Sequence, residues 1–386
     1  MTELARRSLL PAGLQDVLPP DAAHEAEIAQ RLLGVFASHG YERVKPPFVE
    51  FEEGLLSGTG AALANQTFRL MDPISQRMMA VRSDVTPQVA RIAQSRLARA
   101  PRPLRLSYAE DILRVRGSEL RPERQFGQVG FELIGAEGPA ADAEVILLAL
   151  DALGSLEIGP LTVDLNAPTL VTALINEFKL DRETQTNLRN ALNSKDAEAV
   201  GRAVGGRAQI FLDLLGAMGP STRALERLSR LSLPQSAKIE AEALGAVADL
   251  VVSAMPTLSL TIDPVEHRGF EYQTGLSFSV FGLGAKAELG RGGRYRIDAD
   301  GQRQIEPATG CTLFMDTLVR TLERPRGGRR VFVPFGTAPE VSKKLRADGF
   351  VTVAGLQAVS DNAAEAKRLG CGFVVEKGAV TALKGT

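Results

Sequence analysis

The segment RQFGQVGFELIG, residues 124–135, alternates in a way that could present binding groups from a β-strand. Counting from Phe126, the two-residue period sets Gln128, Gly130 and Glu132 on one face and Val129, Phe131 and Leu133 on the other. The apolar face belongs to a core. On the polar face an amide can donate and accept, an ionised carboxylate can only accept, and the glycine between them leaves the space above the strand open. Taken alone, the pattern better suits a sheet face turned to water. A second strand, in FEYQTGLSFSVF, carries Gln273, Gly275, Ser277 and Ser279 on one face and Tyr272, Leu276, Phe278 and Val280 on the other. Two strands with small, polar faces favour the floor of a pocket for a small polar ligand. Arg114 shares parity with Leu104, Leu106, Tyr108 and Ile112, a mainly apolar set, so its guanidinium requires an anionic partner.

Other chemistries find few residues. Cys311 and Cys371 are the only thiols, so neither a disulfide framework nor a metal knuckle is expected, and a reducing cytoplasm fits. His24, His39 and His267 form no ligand spacing, and neither a metal nor a cofactor is expected. GLGAKAELGRGGRY has neither the spacing of a dinucleotide fingerprint nor the Gly-Lys-Ser/Thr of a phosphate loop, and reads as a hairpin. The 45 Lys and Arg balance 46 Asp and Glu, so no global field draws the chain to nucleic acid, which disfavours tRNA as a partner. Nine arginines against four acids from Arg91 to Arg124 make that stretch locally basic, a pattern usual for a solvated face. The opening MTELARRSLLPAG lacks an apolar h-region and no run reaches the about 18 apolar residues of a membrane span, so neither export nor insertion is expected.

The elements that must position these residues follow from the periodicity. At 386 residues, with 44% hydrophobic, the chain is long enough for two or three domains. Asp21, a candidate N-cap, opens a helix to residue 39 with Ile28, Leu32, Val35 and Phe36 on one side, and a short strand covers 41–44. A second helix is expected over 84–99, with Pro87 in its first turn. Strands over 104–114 and 126–134 form an antiparallel pair with a long charged connection. Helical spacing fills 140–155 and an insert at about 168–255, strands return over 258–315, and RPRGGRR reads as a linker. Beyond it, strand and helix alternate in a small α/β tail.

Spread over positions 10–320 are four motifs that resemble the catalytic core of histidyl-tRNA synthetases, a class II family. PAGLQDVLPP with GYERVKPPFVE resembles its N-terminal segment and dimer-forming first motif. VRSDVTPQVAR resembles the segment that follows, YAEDILRVR with RQFGQVGFELIG resembles the second motif, and HRGFEYQTGLSF resembles the histidine-specific segment. The resemblance implies an α+β fold: a class II synthetase-like antiparallel sheet flanked by helices over 1–325, interrupted by the insert at about 168–255, and a separate small α/β domain over 326–386. It also implies an amino-acid site. Asp84 and Thr86 would take the substrate ammonium, with Gln128 and Glu132 further along, Arg114 as the second-motif arginine, Arg268 reaching the carboxylate, and Tyr272 beside Gln273, which replaces a second tyrosine at the imidazole.

The departures fall where ATP should bind. The second-motif glutamate position is Arg116, and the third-motif arginine position, in ATGCTLFMDTLVR, is Thr317. Loss of the arginine that clamps a triphosphate removes transition-state stabilisation of several kcal/mol by order of magnitude, so adenylation is not expected. A retained amino-acid pocket without ATP chemistry resembles the regulatory-subunit family of ATP phosphoribosyltransferase. That resemblance implies a chain with no turnover of its own, which activates the short-form catalytic subunit in the first step of histidine biosynthesis and mediates feedback inhibition by L-histidine. It implies a hetero-octamer of four regulatory and four catalytic subunits, with self-association through the first-motif region. The competing expectations are a histidine–tRNA ligase or histidine-adenylating enzyme, in which Arg121 or Arg124 would take over the triphosphate, and a tRNA-binding module.

Overall fold

The computed structural model describes residues 9–117, 121–266, 273–297, 305–323 and 329–383, and the chain divides into two units, Met1–Glu323 and Arg324–Thr386. Among the described residues the first unit holds a nine-stranded sheet. In chain order its strands are β1 (Glu42–Arg43), β5 (Leu104–Leu113), β6 (Gln125–Ile134), β7 (Leu161–Asn166), β8 (Gly219–Pro220), β9 (Ser259–Asp263), β10 (Gln273–Gly282), β11 (Gly290–Ile297) and β12 (Glu306–Phe314), while β2 (Val49–Phe51), β3 (Arg69–Met71) and β4 (Met78–Val81) make a small separate sheet. The spatial order is β1-β5-β6-β12-β11-β10-β7-β9-β8. The ladder is antiparallel from β5 through to β7, with parallel pairs only at β1–β5 and β7–β9.

Antiparallel pairing with a two-residue period gives each face its own chemistry. One face sends Val129, Phe131, Leu133, Cys311, Leu313, Phe278 and Val280 into the main core, against Ile28, Leu32 and Phe36 of the Asp21–Ser38 helix and Val145, Ile146 and Leu153 of the Pro139–Ser155 helix. The other face is apolar at its margins, where Leu106, Ile112, Phe126, Ile134, Ala308 and Phe314 pack with Val85, Val89 and Ala93. Its centre is polar. The six helices from Pro168 to Ala254 form a cluster after β7, and Asp181 and Asp196 cap two of them by accepting from Thr184 N and Ala199 N.

Several sequence expectations need correction. Asp21 is the first helical residue rather than the cap, a position held by Pro20 without a side-chain cap. The helix expected over 84–99 is Thr86–Ser95, which leaves Asp84 before its first turn. β7 and the small β2–β4 sheet were not anticipated: LTVDLN is short and lies between Ala- and Leu-rich helices, and the β2–β4 strands run only three or four residues. The face assigned to Gly275 is also wrong. The β10–β11 register shifts between Gln273 and Ser277, and a Cβ at Gly275 would meet the side chain of Arg294, which pairs with Asp142 on the helical side.

The second unit has β13 (Arg330–Val333), β14 (Val351–Ala354), β15 (Phe373–Glu376) and β16 (Ala379–Ala382) in the order β14-β13-β15-β16. The Pro339–Ala347 and Asn362–Arg368 helices cover it, with Val331, Val333, Leu345 and Val375 on one side and Phe332, Ala366, Cys371 and Val374 on the other. No helix among the described residues is long and apolar enough to cross a membrane.

Candidate functional site

The polar centre of the sheet is built rung by rung. Glu132 on β6 stands opposite Gly310 on β12, which stands opposite Gly293 on β11, so one carboxylate is followed across two strands by glycines. The neighbouring rung runs Tyr108, Gly130, Thr312, Arg291, and the next Glu110, Gln128, Phe314. The glycines do not leave open space, as their Cβ positions are taken by the Glu132 carboxyl at Gly310, the Tyr108 hydroxyl at Gly130, and Gln273 with the β10 backbone at Gly293. Beside them lies a cavity of about 720 Å³, whose lining includes Asp84, Thr86, Arg114, Gln128, Glu132 and Gln273. All the anticipated site residues except two meet in this one cavity. Arg268 and Tyr272 lie outside the described residues.

Glu132 is 1% exposed and surrounded by hydroxyls. Thr86 Oγ1 donates to its Oε1 at 2.8 Å, Tyr295 OH donates to Oε2 at 2.9 Å, and Tyr108 OH stands 3.5 Å from Oε1 and 2.7 Å from Thr312 Oγ1. Burial lifts its pKa from 4.5 to about 8, because the three hydroxyl donors only partly offset desolvation and the Asp84 charge adds to the rise. Burial, then the charges of Glu132 and Asp84, also hold the Tyr108 phenol well above its ordinary range, so it stays a neutral donor.

Asp84 and Gln128 fix the start of the Thr86–Ser95 helix. Asp84 Oδ1 accepts from Thr86 N at 3.0 Å, Gln128 Oε1 accepts from Val85 N at 3.1 Å, and Gln128 Nε2 donates to Asp84 Oδ2 at 3.2 Å. Arg114 meets the anionic partner its parity demanded, with Nη2 3.9 Å from Asp84 Oδ2 and Nε donating to Ser83 O at 3.2 Å. Gln273 Nε2 donates to Gly292 O at 3.3 Å, and its Oε1 is buried with no partner among the described residues. The inner cavity thus gathers two carboxyl groups and an amide oxygen. That set suits a small ligand bearing cationic or N–H groups.

Sequence reasoning missed Tyr108, Tyr295 and Thr312, which pair with or surround the acid. Their parity places them on this face once the order β5-β6-β12-β11 and its register are known. Arg116 lines the cavity and is exposed, and Thr317 is buried in the Met315–Thr321 helix. Arg121 also lines the cavity, 9% exposed and ion-paired with Asp316. Among the described residues no cluster of three or more His, Cys, Asp or Glu is placed to hold a metal.

The histidyl-tRNA synthetase family profile matches residues 13–318. A histidyl-tRNA synthetase from Nostoc sp. PCC 7120, 19% identical, superposes with a TM-score of 0.78 over 96% of this chain and 91% of its own, a likeness of fold. An ATP phosphoribosyltransferase regulatory subunit/histidyl-tRNA synthetase from Bacillus halodurans, 25% identical, gives 0.80 over 93% of this chain and 96% of its own. The ATP phosphoribosyltransferase regulatory subunit of Rhodospirillum centenum is 53% identical over 95% of this chain and 94% of its own length, and that of Paramagnetospirillum magneticum 51% identical over 96% and 97%. The chain belongs to the family of ATP phosphoribosyltransferase regulatory subunits, built on the class II histidyl-tRNA synthetase fold, and its part in histidine biosynthesis is regulatory rather than catalytic.

Proposed function

We propose that the cavity is a sensor for L-histidine, and that the chain activates a short-form ATP phosphoribosyltransferase catalytic subunit and transmits histidine inhibition to it. The observation that carries this reading is Glu132, a buried carboxyl held by Thr86 and Tyr295 with no cation among its described partners. A buried acid so placed gains most from a ligand that brings its own positive charge or N–H groups. In this reading Asp84 and Thr86 take the ammonium and Gln128 lies beside them. Glu132 and Gln273 take the imidazole, with Tyr272 next to it. Arg114 and Arg268 take the carboxylate. No cofactor is needed.

The assembly we infer is cytoplasmic and hetero-octameric, with regulatory chains self-associating through the first-motif region and residues 326–386 forming a separate small domain. Histidine inhibits only if it binds two quaternary states with different affinity. Isothermal titration of the full chain with L-histidine tests the site. One saturable site per chain, weakened at least about tenfold in Glu132→Ala, supports the reading. Equal affinity in the two proteins removes Glu132 from it.

A further inference from the structure

Four residues along β12 from Gly310, about 13 Å at the usual strand rise, the cavity wall turns aromatic. Phe314 and Phe126 line it there together with Arg121, whose Cζ lies 3.7 Å from the Phe314 centroid and 5.6 Å from that of Phe126, a ring that Arg114 also approaches at 5.2 Å. Two carboxylates hold it: Nε lies 3.1 Å from Asp316 Oδ2, and Nη2 3.9 Å from Glu288 Oε1. The same acids bind other cations. Asp316 is 2.8 Å from Arg320 Nη2, and Glu288 is 2.6 Å from Arg291 Nη2. Each acid thus has a second cation besides Arg121, Arg320 being shared between Asp316 and Glu123, and Arg121 is buried at an aromatic face. A guanidinium over a ring occupies the volume in which a flat ligand would stack.

We propose that Arg121 is a built-in occupant of a stacking slot beside Phe126 and Phe314, and that its side chain keeps planar heterocycles such as purine nucleosides out of the cavity. The inference is independent of what the inner acidic end binds. It makes exclusion of a nucleoside an active property of one side chain, in addition to the residues the chain lacks at 116 and 317. Removing Arg121 leaves Asp316 with Arg320 and Glu288 with Arg291, so the fold is expected to tolerate the change.

The test titrates adenosine into the full chain and into Arg121→Ala, with circular dichroism as the check of folding. Saturable binding by Arg121→Ala, at least about tenfold tighter than by the parent, is the expected result. Equal binding by the parent, or no gain in the folded variant, overturns the proposal. Should Arg121→Ala prove insoluble, Arg121→Gln, which shortens the side chain and removes its charge, is held to the same comparison. Neither outcome depends on histidine binding, so this proposal and the sensor reading fail separately.

Discussion

Gly310 faces Glu132 across the β6–β12 ladder so closely that a Cβ on it would lie 1.7 Å from Glu132 Oε2. The carboxyl therefore occupies the volume that any other residue at 310 would claim. Gly310→Ala must push Glu132 off Thr86 and Tyr295 or shift β12, and overpacking of this kind costs about 1–3 kcal/mol. The expected outcome is a lower unfolding midpoint in urea together with loss of the histidine response. A variant with parental stability and response would show that Glu132 is free to move aside.

Glu132 also sets a pH dependence. Its folded pKa, about 8, stands above its ordinary 4.5, so between those values the folded chain binds more protons than the unfolded one. Stability is then present below the lower value and falls as pH rises through the folded pKa, by an amount on the order of a few kcal/mol. Glu132→Gln is expected to flatten this part of the stability curve, measured by urea unfolding from pH 5 to pH 8.5, and a slope unchanged by the substitution would contradict the assignment. If a cationic ligand ionises Glu132, binding at neutral pH releases a proton. Titrations in buffers of different ionisation enthalpy would then give different apparent enthalpies for the parent and converging ones for Glu132→Gln.

How much of this was legible in advance depended on regularity. β6 alternates without a break, so Gln128, Gly130 and Glu132 could be put on one face from the letters alone, and Val129, Phe131 and Leu133 on the other. β10 is irregular between Gln273 and Ser277, and strict alternation there sent Gly275 to the wrong face. Tyr295 and Thr312 could not be joined to Glu132 because register between distant strands is a property of the sheet, not of either segment. β7 was hidden for a related reason: six residues between helical stretches become a strand through pairing with β10 and β9. The motif resemblance located Asp84 and Thr86, which periodicity alone assigned to a helix start.

Asp84→Ala removes the carboxylate that accepts from Thr86 N and Gln128 Nε2 and faces Arg114. Loss of a charged acceptor of this kind costs about 1.5–3 kcal/mol, which corresponds to a histidine affinity weakened by roughly 10–100-fold. The complex with the catalytic subunit should still assemble, as read by analytical ultracentrifugation. Unaltered inhibition by histidine would remove Asp84 from the site.

Arg294→Ala serves as the structural contrast. Arg294 pairs with Asp142 at 3.0 Å on the helical side of the sheet and donates to Ala136 O and Gly138 O, and the Asp142 side chain is only 7% exposed. Stripping a buried carboxylate of its partner costs about 3–5 kcal/mol. A large fall in the urea midpoint is expected, and a change under about 1 kcal/mol would mean that Asp142 is relieved by other donors.

The role proposed for this cavity is regulation of a partner. The direct measurement follows phosphoribosyl-ATP formation from ATP and phosphoribosyl pyrophosphate by the short-form catalytic subunit from the same source, with and without this chain, across a range of L-histidine. The expected result is activation by the chain, suppression of that activation by histidine, and a suppression curve shifted to higher histidine by Glu132→Ala. A rate and histidine response identical to those of the catalytic subunit alone would contradict it.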